Sequence, residues 1–304
     1  MRAVTIDTFG PPSVLHLTEA AEPAPGPGQV RVRVHLSGVN PLDAKIRSGV
    51  AAKQFPTPLP AVLGSEFAGT VAEVGPGVTG VAVGDRVAGW PDAPVGSYAE
   101  SVVSSGFVRV PDGLDLAQAA ALPVAANTAA RVLDELGVAA GETLLIHGAS
   151  GAVGSIAVQL AVARGVRVIG TAGPASQDRV AGLGATAVEY GEGLADRVRA
   201  AAPDGVDAVL DAAGTGDLPV LVELRGSTDR VVTIADPAAA SVGVPFSAGG
   251  KRDLGAVSEV LESAAAGRIT VTVGRVFPLT EAAAAHELIE TGHAGGKVLL
   301  EVAG

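Results

Sequence analysis

The chain has 304 residues, room for one large or two medium domains, each able to bury a core. Its formal charge of −11, with no run of more than two adjacent Lys or Arg, excludes a nucleic-acid backbone as partner. Having no cysteine, it lacks disulfides, thiolate catalysis and cysteine-bound zinc, and although 48% of its residues are hydrophobic, apolar-rich stretches such as 156–163 end at a charge (Arg164), short of the ~18–20 residues of a membrane span.

The first residues carry neither a long apolar run nor a cleavage pattern, so no export signal and a cytoplasmic location are expected. Residues 1 to about 120 read as β-rich. Segment 31–36 alternates polar and apolar residues with the period of a half-buried strand, Pro/Gly-dense turns such as 23–28 follow one another, and 70–74 and 85–88 are further short strands. Near residue 115 the texture changes. Segments 116–122 and 128–136 look helical, and then strands and helices alternate: strand 143–147, helix 153–163, strand 166–171, helix 178–183, strand 188–190, helix 194–201, strands 206–210 and 230–235. Continuous apolar strands alternating with helices are the signature of a parallel sheet covered on both faces. After a helix over 254–266 the tail returns to strand character, ending at 297–302.

The strand at 143–147 runs directly into Gly148-Ala149-Ser150-Gly151-Ala152-Val153-Gly154 and a helix, the context a dinucleotide fingerprint requires. Gly151 lets the backbone approach a pyrophosphate at the helix N-terminus, and Gly154 lets helix and strand pack closely. The first glycine of G-x-G-x-x-G is replaced by Ala149. A hydrolase elbow on Ser150 is a competing reading, with Asp211 and His286 in the right chain order for a triad, but G-x-S-x-G needs glycine where Ala152 stands.

The next strand decides which dinucleotide is expected. NAD sites place an acid at its end for the ribose hydroxyl, whereas this strand ends Thr171-Ala172-Gly173-Pro174. A carboxylate ~5 Å from a 2′-phosphate would cost roughly 3 kcal/mol per phosphate charge at an effective dielectric near 20. NADPH is therefore expected. Ser176 and the amides around Gly173 are candidates for holding the phosphate, and Arg179 is the nearby cation.

Several ordered segments resemble one family. Gly38-Val39-Asn40-Pro41-Leu42-Asp43-Ala44-Lys45-Ile46-Arg47-Ser48-Gly49 is similar to a G-V-N-P-x-D-x-x-x-R-x-G pattern, and Gly64-Ser65-Glu66-Phe67-Ala68-Gly69-Thr70-Val71 to G-x-D/E-x-x-G-x-V. Segments 84–87, 96–100, 122–129, 278–283 and 296–300 follow in the expected order. The chain thus resembles, over nearly its whole length, the zinc-independent quinone oxidoreductases of the medium-chain dehydrogenase/reductase superfamily, relatives of zeta-crystallin. The resemblance implies an α/β chain with a GroES-like β-rich catalytic domain (1–120 and 267–304) and a Rossmann domain with a doubly wound parallel sheet (121–266). It also implies a homodimer.

Zinc-dependent relatives carry Cys where this chain has Asn40 and His where it has Ser65. A catalytic zinc needs three Cys, His or carboxylate ligands, and the five histidines stand at no ligand spacing. No metal is expected. Hydride chemistry then requires an acceptor activated by conjugation, a quinone or an enone, and a group to stabilise the developing oxyanion. By resemblance Asn40 lies beside the nicotinamide and its amide can serve, with Lys45 and Arg47 as cationic candidates. Some relatives have tyrosine at the place of Lys45. Asp43 reads better as a structural carboxylate tying loops together through Arg47 than as a catalyst.

The resemblance carries over Thr128, Ser150, Gly151, Ala152, Val153, Gly173, Tyr190, Ala213, Ala235 and Lys297 as cofactor contacts. Tyr190 could stack on adenine. Phe246 could flank the nicotinamide or belong to a dimer-interface strand, and Trp90 and Phe55 could wall the substrate or be core. The expected function is NADPH-dependent, metal-free reduction of a quinone or an α,β-unsaturated carbonyl. An enoyl reductase of a biosynthetic pathway, the Ser150 hydrolase and a non-catalytic NADPH-binding protein are the alternatives.

Overall fold

The computed structural model describes residues 1–302. The chain divides into two compact units, one formed by Met1–Val124 with the chain from Asp253 onward, the other by Ala125–Arg252. The first opens with β1 (Arg2–Ile6), β2 (His16–Glu19), β3 (Val30–Val39), α1 (Pro41–Arg47), β4 (Ala61–Val62), β5 (Phe67–Val74), β6 (Arg86–Trp90), β7 (Ser101–Ser104), β8 (Gly106–Arg109) and α2 (Leu116–Ala120). Helix α3 (Pro123–Leu136) leads on to β9 (Thr143–His147), α4 (Ala152–Ala163), β10 (Arg167–Ala172), α5 (Gln177–Gly182), β11 (Thr186–Glu189), α6 (Leu194–Ala201), β12 (Ala208–Asp211), α7 (Leu218–Arg225), β13 (Val231–Thr233) and α8 (Ala239–Val242). The chain then returns through α9 (Leu254–Ala265), β14 (Val273–Pro278), α10 (Ala282–Glu290) and β15 (Lys297–Glu301).

In the first unit the larger sheet has the order β14-β15-β3-β5-β6-β8, with β7 also pairing with β3, and a smaller one has the order β2-β1-β4. The alternation read over 31–36 belongs to β3, in which Val30, Val32 and Val34 are wholly buried. They join Ile6, Phe67, Val71, Val87 and Leu300 in one core. Each such aliphatic side chain contributes roughly 1.5–3 kcal/mol on leaving water. Trp90, a candidate for the substrate wall, ends β6 and is buried, whereas Phe55 is half-buried in the turns after α1.

The second unit is a parallel sheet of order β11-β10-β9-β12-β13. Phe246 adds an isolated parallel bridge to Thr233 at the β13 edge. The order reverses at β9, which lies between β10 and β12. Such a reversal opens a crevice at the carboxyl ends of the strands, the place where ligands bind in sheets of this kind. All five residues of β9 are buried, which is why Thr143–His147 reads as a run rather than an alternation.

Helices α3, α10 and α9 are placed differently from the sequence reading. Helix α3 begins at Pro123, with proline at the first helical position where its missing N–H costs nothing. Helix α10 occupies part of the tail read as strand. Helix α9, placed by sequence with the inserted domain, belongs to the first unit and packs against β8, so the division falls after Arg252 rather than after 266. Its buried stripe of Val257, Val260 and Leu261 needs an apolar partner, but a stripe does not say which one. Among the described residues no helix is long and apolar enough to cross a membrane.

Candidate functional site

The glycine turn caps the carboxyl end of β9. Gly148 takes a left-handed φ of 86°, and its N–H donates to the Thr171 hydroxyl at 3.0 Å. Gly154 is demanded by packing, since a Cβ there would stand 2.2 Å from the Gly148 carbonyl oxygen. Gly151 is different. Its φ of −73° and ψ of 171° suit any residue, and a Cβ would meet nothing closer than the Gly148 oxygen at 3.4 Å. The protein itself does not need glycine at 151, so the small residue leaves room for something outside the chain. Gly151 is also the N-cap of α4 without any side-chain cap, and no acid stands in the first turn. The free N–H groups and the positive end of the helix are thus available to an anion. Ser150, Ala152 and Val153 are half-buried around this turn. The residues fit a dinucleotide pyrophosphate.

Ala149, the departure from the fingerprint, is wholly buried. A Cβ on Gly170 of β10 would lie 2.7 Å from its methyl. The missing glycine of the turn is matched by a glycine on the neighbouring strand.

Beyond β10, Gly173 is followed by a single 3-10 turn, Pro174–Ser176, and the Arg179 guanidinium donates to the Ser176 hydroxyl at 3.1 Å. Asp178, nearby in sequence, is exposed on α5. Tyr190, just past β11 and 43% exposed, stands over Gly173, where a Cβ would come within 3.0 Å of its hydroxyl. Beyond β12 and β13 the loops of Ala213 and Ala235 are tied together. Buried Asp211 accepts from the N–H groups of Ala213 and Gly214, each at 3.0 Å, and from the Thr233 hydroxyl at 2.7 Å. Thr128 is half-buried on α3, and Phe246 is 36% exposed beside β13.

In the first unit the residues around Asn40 form a buried polar cluster. Asn40 caps α1, whose N-terminus is set by Pro41, and its N–H donates to Asp43 Oδ2 at 2.8 Å. The Asn40 amide donates to Glu66 Oε1 at 2.9 Å, and its oxygen accepts from Lys297 Nζ at 2.6 Å. Lys297 also pairs with Glu66, which is wholly buried, and Glu66 Oε2 accepts from the N–H of Val124 at 2.7 Å in the first turn of α3. Gly38 makes this possible, because a Cβ there would overlap the Glu66 carboxylate at 2.4 Å. An amide NH2 has two hydrogens and Glu66 uses one, so Asn40 keeps a second donor.

Two residues singled out by sequence have partners within the first unit. Lys297, carried over as a cofactor contact, is 3% exposed and its ammonium is engaged by Asn40 and Glu66. Arg47 does not bind Asp43. It is 2% exposed, and its ion pair is with Glu290 at the end of α10. It ties α1 to α10. Asp43 instead takes the hydroxyl of Ser65 on Oδ1, while the Tyr98 hydroxyl lies 3.5 Å from Oδ2 and 3.0 Å from His286 Nε2. Lys45 is half-buried on α1. Glu66, Tyr98 and His286 were not assigned to this cluster from sequence.

Burial pushes the Asp43 carboxyl up from 3.8 to about 6, against the pull of the Ser65 and Asn40 hydrogen bonds and the Lys297 charge. Burial lowers His286 from 6.5 to about 3, with the Arg47 charge acting in the same direction. Tyr98 between them is pushed well above its ordinary value, first by burial and then by Asp43. The two shifts tilt stability oppositely. Between pH 3 and 6.5 the unfolded chain binds a proton at His286 that the native chain does not, so this contribution is lost on acidification and complete above 6.5. Between 3.8 and 6 the native chain holds a proton on Asp43 that the unfolded chain has released, so that contribution falls as pH rises. His286→Gln should remove the first slope and expose the second, with urea midpoints falling between about pH 4 and 6 relative to the parent. Parallel midpoint curves for variant and parent would contradict a neutral buried His286.

Asp211 is spent on Thr233 and two backbone amides in the second unit, and His286 on Tyr98 in the first. The two partners named for a Ser150 triad are thus each engaged within their own unit. Among the described residues no group of three or more His, Cys, Asp or Glu could hold a metal ion.

Residues 26–112 match the alcohol dehydrogenase GroES-like domain family, and 183–300 match the family described as zinc-binding dehydrogenase. The chain is 32% identical to the quinone oxidoreductase of Rattus norvegicus over 99% of this chain and 97% of that protein. Among solved structures it resembles the quinone oxidoreductase from Coxiella burnetii (TM-score 0.89, 32% identity, 100% of this chain and 99% of that one). It also resembles a mycobacterial protein solved in complex with NADPH (TM-score 0.84, 30% identity, 99% of this chain and 100% of that one).

Proposed function

Because the chain belongs to the quinone oxidoreductase family of the medium-chain dehydrogenase/reductase superfamily, we propose that it is an NADPH-dependent reductase of quinones or α,β-unsaturated carbonyl compounds. The observation that carries the cofactor choice is the pair Ser176–Arg179 just beyond β10, at the place where an NAD site holds a carboxylate. A guanidinium held on a hydroxyl there gives a 2′-phosphate a charge-assisted partner. Gly151 and the uncapped start of α4 hold the pyrophosphate, Tyr190 covers the adenine side, and the loops of Ala213, Ala235 and Phe246 follow along the same strand ends.

When bound, the dinucleotide supplies the hydride. The chain's own part is to stabilise the oxygen that becomes negative, and the second amide hydrogen of Asn40 does this. Lys297 and Glu66 act behind it, holding the amide in one orientation. A homodimer belongs to the same reading, supported by the partly exposed Phe246 at the β13 edge and testable by light scattering in solution.

Hydrogen bonds to charged groups contribute about 1.5–3 kcal/mol, so Arg179→Ala should weaken NADPH roughly 10- to 100-fold in a fluorescence titration and leave NADH unchanged. Equal losses for both dinucleotides would place the phosphate elsewhere. Loss of NADPH absorbance with an ortho-quinone or a simple enone tests turnover, and its absence with both would favour a non-catalytic NADPH-binding protein.

A further inference from the structure

Asp43 is 2% exposed, and both of its oxygens are met inside the first unit. Oδ2 accepts from the Asn40 N–H at 2.8 Å and lies 3.5 Å from the Tyr98 hydroxyl, while Oδ1 accepts from the Ser65 hydroxyl. Asn40 and Tyr98 are themselves buried, and Ser65 is half-buried. Of the three groups that meet the carboxyl, only Ser65 is partly exposed. The charged and titratable groups around it come from four other places: Lys297 on β15, Glu66 before β5, Tyr98 before β7 and His286 on α10, with Arg47 on its own helix turned to Glu290.

Reduction of a quinone or an enone needs a proton as well as a hydride. We propose that Ser65 is the catalytic proton donor to the acceptor oxygen and that Asp43 replenishes Ser65 from behind. This rests on the reductase reading above. Hydride delivery leaves the acceptor as an oxyanion, a hydroquinone monoanion or an enolate. The Ser65 O–H bond breaks as its proton moves to that oxygen, and the proton on Asp43 Oδ1 passes to Ser65 Oγ, leaving a carboxylate. Solvent restores the Asp43 proton through Ser65 once product has left. The hydrogen bond reverses with protonation state. Ionised Asp43 accepts from Ser65, whereas protonated Asp43 donates to it and frees the serine hydrogen for the acceptor. Burial, which lifts the carboxyl to about 6, keeps both states within reach near neutral pH.

The test is kcat for quinone reduction at saturating NADPH between about pH 5 and 8. The parent should lose about tenfold per pH unit above the carboxyl's titration. Asp43→Asn keeps an oxygen for the Asn40 N–H but has no proton to give, and Ser65→Ala removes the outlet. Each should lower kcat by about 10²- to 10⁴-fold and flatten the profile, with KM for NADPH little changed. Ser65→Thr, which retains a hydroxyl, should retain the slope. A flat parent profile, or variants that lose activity while keeping the parent's slope, would overturn the proposal and leave Asp43 a structural cap. If Asp43→Asn fails to fold, the Ser65→Ala and Ser65→Thr pair decides alone. Failure of the parent to turn over any quinone or enone defeats the reductase reading and this step together, whereas turnover without an alkaline limb defeats only the step.

Discussion

Replacing Lys297 by methionine is expected to destabilise the first unit by about 3–5 kcal/mol, the usual result of stranding one member of a buried ion pair. Glu66 is wholly buried, and its Oε1 accepts from both Lys297 Nζ and the Asn40 amide. Without the ammonium a carboxylate remains in low dielectric, and the Asn40 oxygen loses its donor as well. The urea or thermal midpoint of that unit reads the loss directly. Adding Glu66→Gln should recover part of it, because a neutral amide oxygen can still accept from the Val124 N–H. A cost below about 1 kcal/mol for Lys297→Met would mean that the pair is not desolvated.

Gly151→Leu is expected to weaken NADPH on the order of 100-fold or more, by filling the approach to the α4 N-terminus and obstructing its anion contacts, while leaving the thermal midpoint nearly unchanged. The backbone at 151 tolerates a side chain and the added Cβ meets no clash. Gly154→Ala should do the reverse in kind, since its Cβ would press on the Gly148 carbonyl from 2.2 Å, so that stability falls first and binding only as a consequence. Isothermal titration alongside thermal melts separates the two. A Gly151→Leu protein that binds NADPH normally would show that the turn is not the phosphate site.

The second unit was largely legible because its strands are buried runs of apolar residues separated by glycine turns, a pattern that short-range sequence carries whole. Helix α7 escaped notice because Pro219 stands at its start and its eight residues show little amphipathic contrast. Helix α10 hid in the run Ala282–Ala285, which has no strand or helix period of its own. Helix α1 carries a readable signal: Asn40 followed by Pro41, with Asp43 at the third helical position, is a capping box. The polar cluster behind Asn40 could not be read at all, because Asn40, Glu66, Tyr98, His286 and Lys297 come from five segments spread over most of the chain. Glu66 stands inside the Gly64–Val71 motif, but nothing in its neighbourhood names Lys297 as its partner.

Ala149 and Gly170 occupy one steric position contributed by the turn and the strand beside it, with room for a single methyl. The small residue that a fingerprint demands of the turn is thus a property of the pair, not of either position. Exchange in both directions follows: Gly170→Ala alone should be rejected, and Ala149→Gly should relieve it once Val180, whose Cγ1 would lie 2.8 Å from the new carbon, gives way. In relatives of this chain the two positions should vary jointly, and a turn scored by its own glycines would undercount dinucleotide sites in which the space has been donated from the adjacent strand.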